Sequence, residues 1–264
     1  MSYFTRVGAH RYRPSEFTGG AWAVDEQHIS PLCGLVVHAI DRFAAERDGD
    51  GGRGGVPMVI GRLTFDILGV IRLEDFDIHV EVVRPGRTVE LVEAVVTWAD
   101  RTVVRARAWR LARHDTAEVA GGAAGALPAP QTLTPWDMTD VWPGEYIRSI
   151  EVRPAGEPGP GRTTAWITSE HDLVAGEPST PLARFVRLVD TANGIAVRQN
   201  PKEWMFPNLD LSIHLHRQPH GDWVGLDTTV VFGADGQGLT STTLHDVTGP
   251  VGRAEQILTV RPQR

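Results

Sequence analysis

The chain has 264 residues and a formal charge of −7, with 33 acidic residues against 26 Lys and Arg. Proteins that bind duplex nucleic acid normally carry a positive surplus, so this composition argues against a nucleic-acid partner. Cys33 is the only cysteine, which excludes an intrachain disulfide and a cysteine-based zinc cluster.

No apolar run approaches the ~20 residues that a membrane-spanning helix needs. Residues 1–10 also lack the apolar core of a signal peptide. We therefore expect a cytoplasmic protein with no membrane partner.

The first predicted helix begins at Ser30 and Pro31, because serine is a good N-cap and proline suits the first helical position. Apolar residues follow at helical spacing and form one stripe. They are Leu32, Leu35, Val36, Ala39, Ile40 and Phe43. The segment 48–55 is almost entirely Gly, Asp and Arg, which predicts a loop that ends the helix.

After this helix the apolar residues recur at every second position, which is typical of strands. Four strands are predicted, at residues 59–68, 76–84, 88–98 and 102–111. The next segment, 115–130, is rich in Ala, Gly and Pro and is interpreted as a linker.

The second half repeats this order. A strand at 163–170 precedes Thr180, Pro181 and Leu182, which restate the Ser-Pro-Leu helix start 150 residues later. The stripe of this second helix is Leu182, Phe185, Leu188, Val189 and Ala192. Four more strands are predicted, at residues 209–216, 223–232, 239–245 and 254–260.

The repetition predicts an α+β protein made of two similar units, each with a long helix covering one face of an antiparallel sheet. We place the first unit at residues 1–114, a linker at 115–134 and the second unit at 135–264. Sheet-rich repeats often assemble further, so a homo-oligomer stays an open alternative.

The clearest alternation lies at residues 208–216, where one strand face carries Asp210, Ser212, His214 and His216. Such a polar face usually meets water. The competing hypothesis is that Asp210 borders a cleft and acts as a base. His214 and His216 are spaced like neighbours on a strand edge, and we expect no metal there.

Several of these stretches resemble the TesB-like acyl-CoA thioesterases. The resemblance is carried by Leu209 to His214, by Gly238 with Leu239, and by Arg253 to Gln256. The stretch from Asp25 to Leu35 resembles other members of the thioesterase superfamily. The resemblance implies a double hot-dog fold, an acyl-CoA or related acyl thioester as substrate, and hydrolysis without a cofactor.

In that family an aspartate, a hydroxyl residue and a glutamine hold and activate a water. The resemblance assigns the aspartate to Asp210 and the glutamine to Gln256. The hydroxyl has no direct match, since Val231 falls at its position and Thr228 or Thr229 requires a shift of two or three residues.

Overlaying the two halves sharpens this expectation. Thr64 falls opposite Asp210 and Ala108 falls opposite Gln256, so only the second unit carries both polar groups. We therefore expect one site per chain.

Three further residues have two interpretations each. Gly34, in the first turn of the first helix, is either part of an oxyanion site or a glycine where two helices pack closely. His28 is either a turn residue or part of the cleft. Asp190 is either a second cleft carboxylate or a buried hydrogen-bonding residue.

Two other functions stay open from the sequence. Acyl-thioester hydratases and dehydratases use related folds, and their active-site loop is expected to have the pattern Asp-x-Asn-Pro-x-His. In this sequence no Asn-Pro follows Asp210, which argues against that class. The missing hydroxyl also leaves a non-catalytic acyl-CoA-binding protein as an alternative.

Overall fold

The computed structural model describes residues 1–20, 22–23, 25–49 and 56–263. Over these residues the fold is a single large, almost entirely antiparallel sheet around two central helices. The predicted loop at 48–55 falls mostly outside the described residues. The longer helices are α1 (Ile29–Asp48) and α3 (Pro181–Val189), and the short ones are α2 (Glu145–Arg148) and α4 (Ala192–Ile195).

The first half contributes six strands to the large sheet. They are β1 (Ser2–Arg6), β2 (Arg11–Pro14), β3 (Met58–Ile67), β4 (Phe76–Arg84), β5 (Val89–Trp98) and β6 (Arg101–Ala112). Ala99 and Asp100 connect β5 to β6, and both have positive φ, the geometry of a tight hairpin turn.

The second half contributes seven strands to it. They are β7 (Glu151–Pro154), β8 (Arg162–Thr168), β9 (Asp172–Val174), β11 (Asp210–Leu215), β12 (Val224–Phe232), β13 (Gln237–Asp246) and β14 (Gly249–Thr259). A separate two-stranded sheet pairs β10 (Trp204–Met205) with β15 (Arg261–Pro262).

The two halves meet at the centre of the large sheet, where β11 pairs with β3. The strand order is β7-β8-β12-β13-β14-β11-β3-β6-β5-β4-β2-β1-β9. The predicted pair of helix-and-sheet units is therefore confirmed. The predicted division at residues 115–134 stays a prediction.

Helix α1 is buried on every side along its first half, since residues 29–40 are all buried. The sheet covers it from one direction and α3 packs against it from another. The start of α1 differs from the prediction. His28, not Ser30, is the N-cap, because its Nδ1 accepts a hydrogen bond from the Ser30 N–H at 3.1 Å. Pro31 still lies in the first turn, where a missing N–H removes no helical bond.

Helix α3 begins as predicted, with the Thr180 hydroxyl accepting a bond from the Ala183 N–H. It ends at Asp190, its C-cap residue, and α4 follows after Thr191. Asp190 lies beside His28, so the end of α3 is next to the start of α1. This junction holds the candidate site.

Candidate active site

A cavity of about 370 Å³ opens where the start of α1 meets the end of α3. Its lining is mostly apolar, and its polar side chains come from the segment before α1, from the end of α3 with α4, and from the segment before β11. The residues used below are His28, Ile29, Asp190, Thr191, Asn208 and Leu209. An apolar cavity with a few convergent polar groups is the usual form of a small-molecule site.

Asp190 is the buried carboxylate of this cavity, with only 4% of the residue exposed, whereas Glu26, the other carboxylate of the lining, is partly exposed. Its Oδ1 accepts hydrogen bonds from the Asn208 Nδ2 at 2.7 Å and from the Gln256 Nε2 at 2.8 Å. No described residue donates a hydrogen bond to Oδ2. One carboxylate oxygen is thus held by two amides, while the other keeps its lone pairs available.

Burial raises the pKa of Asp190 from its ordinary 3.8 to about 7. The hydrogen bonds from Asn208 and Gln256 act in the opposite direction, and the negative charge of Asp210 adds to the rise. No Arg or Lys side chain pairs with this carboxylate in the described part of the chain. Removal from water without a cation to compensate is the physical cause of the shift.

His28 lies beside Asp190, with 3.9 Å between its Nδ1 and the carboxylate Oδ2. Burial lowers the pKa of His28 from 6.5 to about 3, so the imidazole is neutral at physiological pH and the contact is not an ion pair. Nδ1 accepts the Ser30 N–H, which places the imidazole proton on Nε2. The ring stacks on Tyr146 with centroids 4.2 Å apart.

Asp210 does not join this cluster. On β11, Ser212 pairs with Glu255 of β14, so Ser212 and Asp210 share a sheet face with Glu255. Gln256 is one residue further along β14 and points to the opposite face. The Asp210 Oδ1 accepts the Ile257 N–H at 2.7 Å. The geometry therefore separates Asp210 from Gln256, and the carboxylate that Gln256 contacts is Asp190.

Thr228 and Thr229 also lie away from the cavity, on β12. The Thr228 hydroxyl is fully buried and hydrogen-bonded to Thr242 at 3.0 Å, while Thr229 is exposed. The polar residue that completes the contact with Asp190 is Asn208. Sequence reasoning assigned it no role, because its spacing from Asp190 and Gln256 carries no signal of contact.

Gly34 is a packing residue. A Cβ at this position would lie 2.5 Å from the Arg187 Cβ and 2.7 Å from the Ala183 carbonyl, so glycine is required where α1 and α3 cross. This contact supports the packing interpretation, and Gly34 is not among the residues that line the cavity. The start of α1 still reaches the cavity, through His28 and Ile29.

The sequence matches two family models, the acyl-CoA thioesterase N-terminal domain over residues 18–111 and the acyl-CoA thioesterase C-terminal domain over residues 130–260. The chain belongs to the acyl-CoA thioesterase family. Thioester hydrolysis is therefore its reaction class. No curated protein matches the sequence.

Solved structures similar to this thioesterase share its fold along nearly the whole chain. The TesB protein of Mycobacterium avium subsp. paratuberculosis is 17% identical, with a TM-score of 0.69 over 98% of this chain and 96% of that one. The acyl-CoA thioesterase II TesB2 of Mycobacterium marinum is 16% identical, with a TM-score of 0.67 over 98% and 96%.

A hot-dog protein of unknown function from Alicyclobacillus acidocaldarius is 11% identical, with a TM-score of 0.73 over 99% and 96%. These likenesses establish the double hot-dog architecture that the resemblance implied.

Among the described residues, no three His, Cys, Asp or Glu side chains are grouped so that they could hold a metal ion. None of the helices over those residues combines the length and hydrophobicity of a membrane span.

Proposed function

We propose that this thioesterase hydrolyses acyl-CoA by a water that Asp190 activates. The observation that carries the proposal is the state of this carboxylate: it lines an apolar cavity, no cation pairs with it among the described residues, and its pKa is about 7. A general base works best when its pKa is near the operating pH.

Asn208 and Gln256 position the base. Their two N–H groups hold Oδ1, which leaves Oδ2 directed to accept a proton from water. Gln256 is buried with 1% exposure, so an unsatisfied amide there would be costly and the contact with Asp190 is firmly held. The roles that the resemblance assigned to an aspartate and a glutamine thus fall to Asp190 and Gln256.

The start of α1 supplies the oxyanion donors in this proposal. The N–H groups of a first helical turn have no partners within the helix, and the helix dipole favours negative charge there. Ile29 is the first residue of α1 and lines the cavity. Its N–H replaces Gly34 as the candidate donor for the thioester oxygen.

The reaction then balances as follows. Water oxygen attacks the thioester carbonyl carbon, one water proton passes to Asp190, and the carbonyl oxygen becomes an oxyanion near the start of α1. The intermediate collapses, the carbon–sulfur bond breaks, and the proton on Asp190 passes to the leaving sulfur. The products are the free acid and CoA, and the carboxylate is regenerated.

The test incubates the purified protein with a panel of acyl-CoA esters and records thiol release together with absorbance of a conjugated double bond. We expect thiol release, with one molecule of free acid formed for each thiol released. A change in double-bond absorbance without thiol release would indicate a hydratase instead, and binding without either signal a non-catalytic protein.

A second measurement separates water activation from covalent catalysis. Enzyme in excess over substrate is quenched with acid during the first turnover and its intact mass is measured. No acyl adduct is expected. An adduct on Asp190 would make this residue a nucleophile and overturn the proposed step.

A further inference from the structure

We infer that this thioesterase acts on acyl groups of medium size, and that Trp22 sets the upper limit. The inference rests on the proposed function, since it says where the acyl group and the pantetheine arm of the substrate lie in the same cavity. Its basis is an aromatic cluster, called here the aromatic wall, formed by Trp22, Trp142 and Phe206.

The three rings of the aromatic wall contact one another edge to face. Trp22 lies 4.9 Å from Trp142 and 5.3 Å from Phe206, measured between ring centroids, and Trp142 lies 5.8 Å from Phe206. Such geometry is favourable beyond the area it buries. Trp22 and Trp142 line the cavity, and Phe206 supports them from behind.

Two of the three residues of the aromatic wall are held in place by contacts with the rest of the protein. The Trp142 Nε1 donates a 2.8 Å hydrogen bond to the carbonyl of Gly194 in α4, the turn that follows Asp190. Phe206 is buried with 1% exposure and also contacts Phe232. Trp22 is only half-buried and lies before α1. It is therefore the member of the wall whose replacement changes the cavity with the least disturbance of the core.

Three apolar side chains of the cavity lining are exposed and form an apolar rim, namely Leu68, Val70 and Leu209. These side chains are 57%, 46% and 49% exposed. The CoA nucleotide is large and multiply charged, so it stays in solvent and the pantetheine arm crosses this rim. The acyl group is then left to occupy the less exposed part of the lining, against the aromatic wall.

The volume of the cavity limits the length of that group. At about 370 Å³, the cavity lies near the lower end of the ~300–1,000 Å³ that small-molecule sites usually have. This leaves room for an acyl chain of about eight to ten carbons or an aryl group of similar size. A chain of about sixteen carbons exceeds the space unless Trp22 is displaced.

The test measures kcat/KM for straight-chain acyl-CoA esters from two to sixteen carbons. For the wild-type protein we expect a maximum near eight to ten carbons and at least a tenfold decrease at sixteen. Trp22→Ala should raise the ratio of kcat/KM for sixteen carbons to that for eight carbons at least tenfold, and Trp22→Phe should raise it less.

Trp98→Ala is the matched control, because Trp98 is also half-buried but lies on β5 outside the cavity lining. Its chain-length profile should equal that of the wild type. A wild-type maximum at fourteen to sixteen carbons, or an unchanged ratio in a folded Trp22→Ala protein, overturns the inference. If the wild type hydrolyses none of the esters, the proposed function itself fails, so the two failures are distinguishable.

Discussion

Two aspartates of the second half, Asp190 and Asp210, lie on opposite sides of the same sheet and differ in burial and in hydrogen-bond partners. Asp190 ends α3 and is buried at the cavity, with its pKa raised to about 7. Asp210 faces outward from β11, and its carboxylate accepts the Ile257 N–H at the sheet surface. The comparison teaches that the residue most visible in a strand pattern is not the one that the fold desolvates.

The largest expected effect tests the comparison directly. Asp190→Asn keeps an oxygen for the two amide donors but removes the base, so kcat/KM should fall by ~10²–10⁴-fold. Asp210→Asn should change it by no more than about twofold, as expected of a surface substitution. Thiol release, recorded at a saturating and at a limiting acyl-CoA concentration, measures the change in each variant. Equal losses in the two variants would contradict the assignment of the base to Asp190.

The same variant should stabilise the fold above neutral pH. Because folding raises the pKa of Asp190 from 3.8 to about 7, the folded state binds its proton more tightly and loses stability as pH rises through this window. At about 1.4 kcal/mol per pKa unit, Asp190→Asn should raise the free energy of unfolding at pH 8 by up to about 4 kcal/mol. Urea unfolding at pH 8 and pH 4 measures this, and a gain of equal size at pH 4 would refute it.

Asp246 is the contrasting buried carboxylate of this half. Burial acts to raise its pKa, but hydrogen bonds from Arg217 and Thr248 outweigh burial and hold the pKa well below the ordinary value. Its stabilising contribution is therefore present above about pH 4 and lost as pH falls further.

Asp246→Asn should lower the free energy of unfolding at pH 7 by roughly 2–3 kcal/mol, since it breaks a buried charged contact with Arg217. The loss should shrink toward pH 3, opposite to the pH dependence at Asp190. Because Asp246 is outside the cavity lining, kcat/KM measured on the folded variant should stay at the wild-type value.

Removing one amide donor should lower the activity less than removing the base does. Gln256→Leu takes one hydrogen bond from the Asp190 carboxylate, a contact worth ~1.5–3 kcal/mol, so kcat/KM should fall by about 10- to 100-fold. Wild-type kcat/KM should rise with pH through about 7, because the base must be ionised, and the variant midpoint should lie higher. Thr228→Val, on β12, should leave the pH profile unchanged. A variant midpoint at or below that of the wild type would argue against the contact.

Much of the fold could be predicted from local pattern. The two helices, the alternating strands and the Thr-Pro-Leu start of α3 follow from side-chain period and from the chemistry of proline at helix starts. The burial of Gln256 on β14 also follows from its strand parity with the buried Leu258, which can be counted along the chain. These features depend on residues a few positions apart.

The candidate site depends on contacts that the sequence does not order. Asn208 lies 18 residues after Asp190 along the chain, and Gln256 lies 66 residues after it. The three meet only because β14 and the segment before β11 pass beneath the end of α3. A period of two tells which residues share a face, yet not which face borders a cavity. Sequence by itself determined the elements and the two-unit architecture. Tertiary packing alone decided which carboxylate loses its water, because desolvation is set by all the chain segments that converge on that carboxylate.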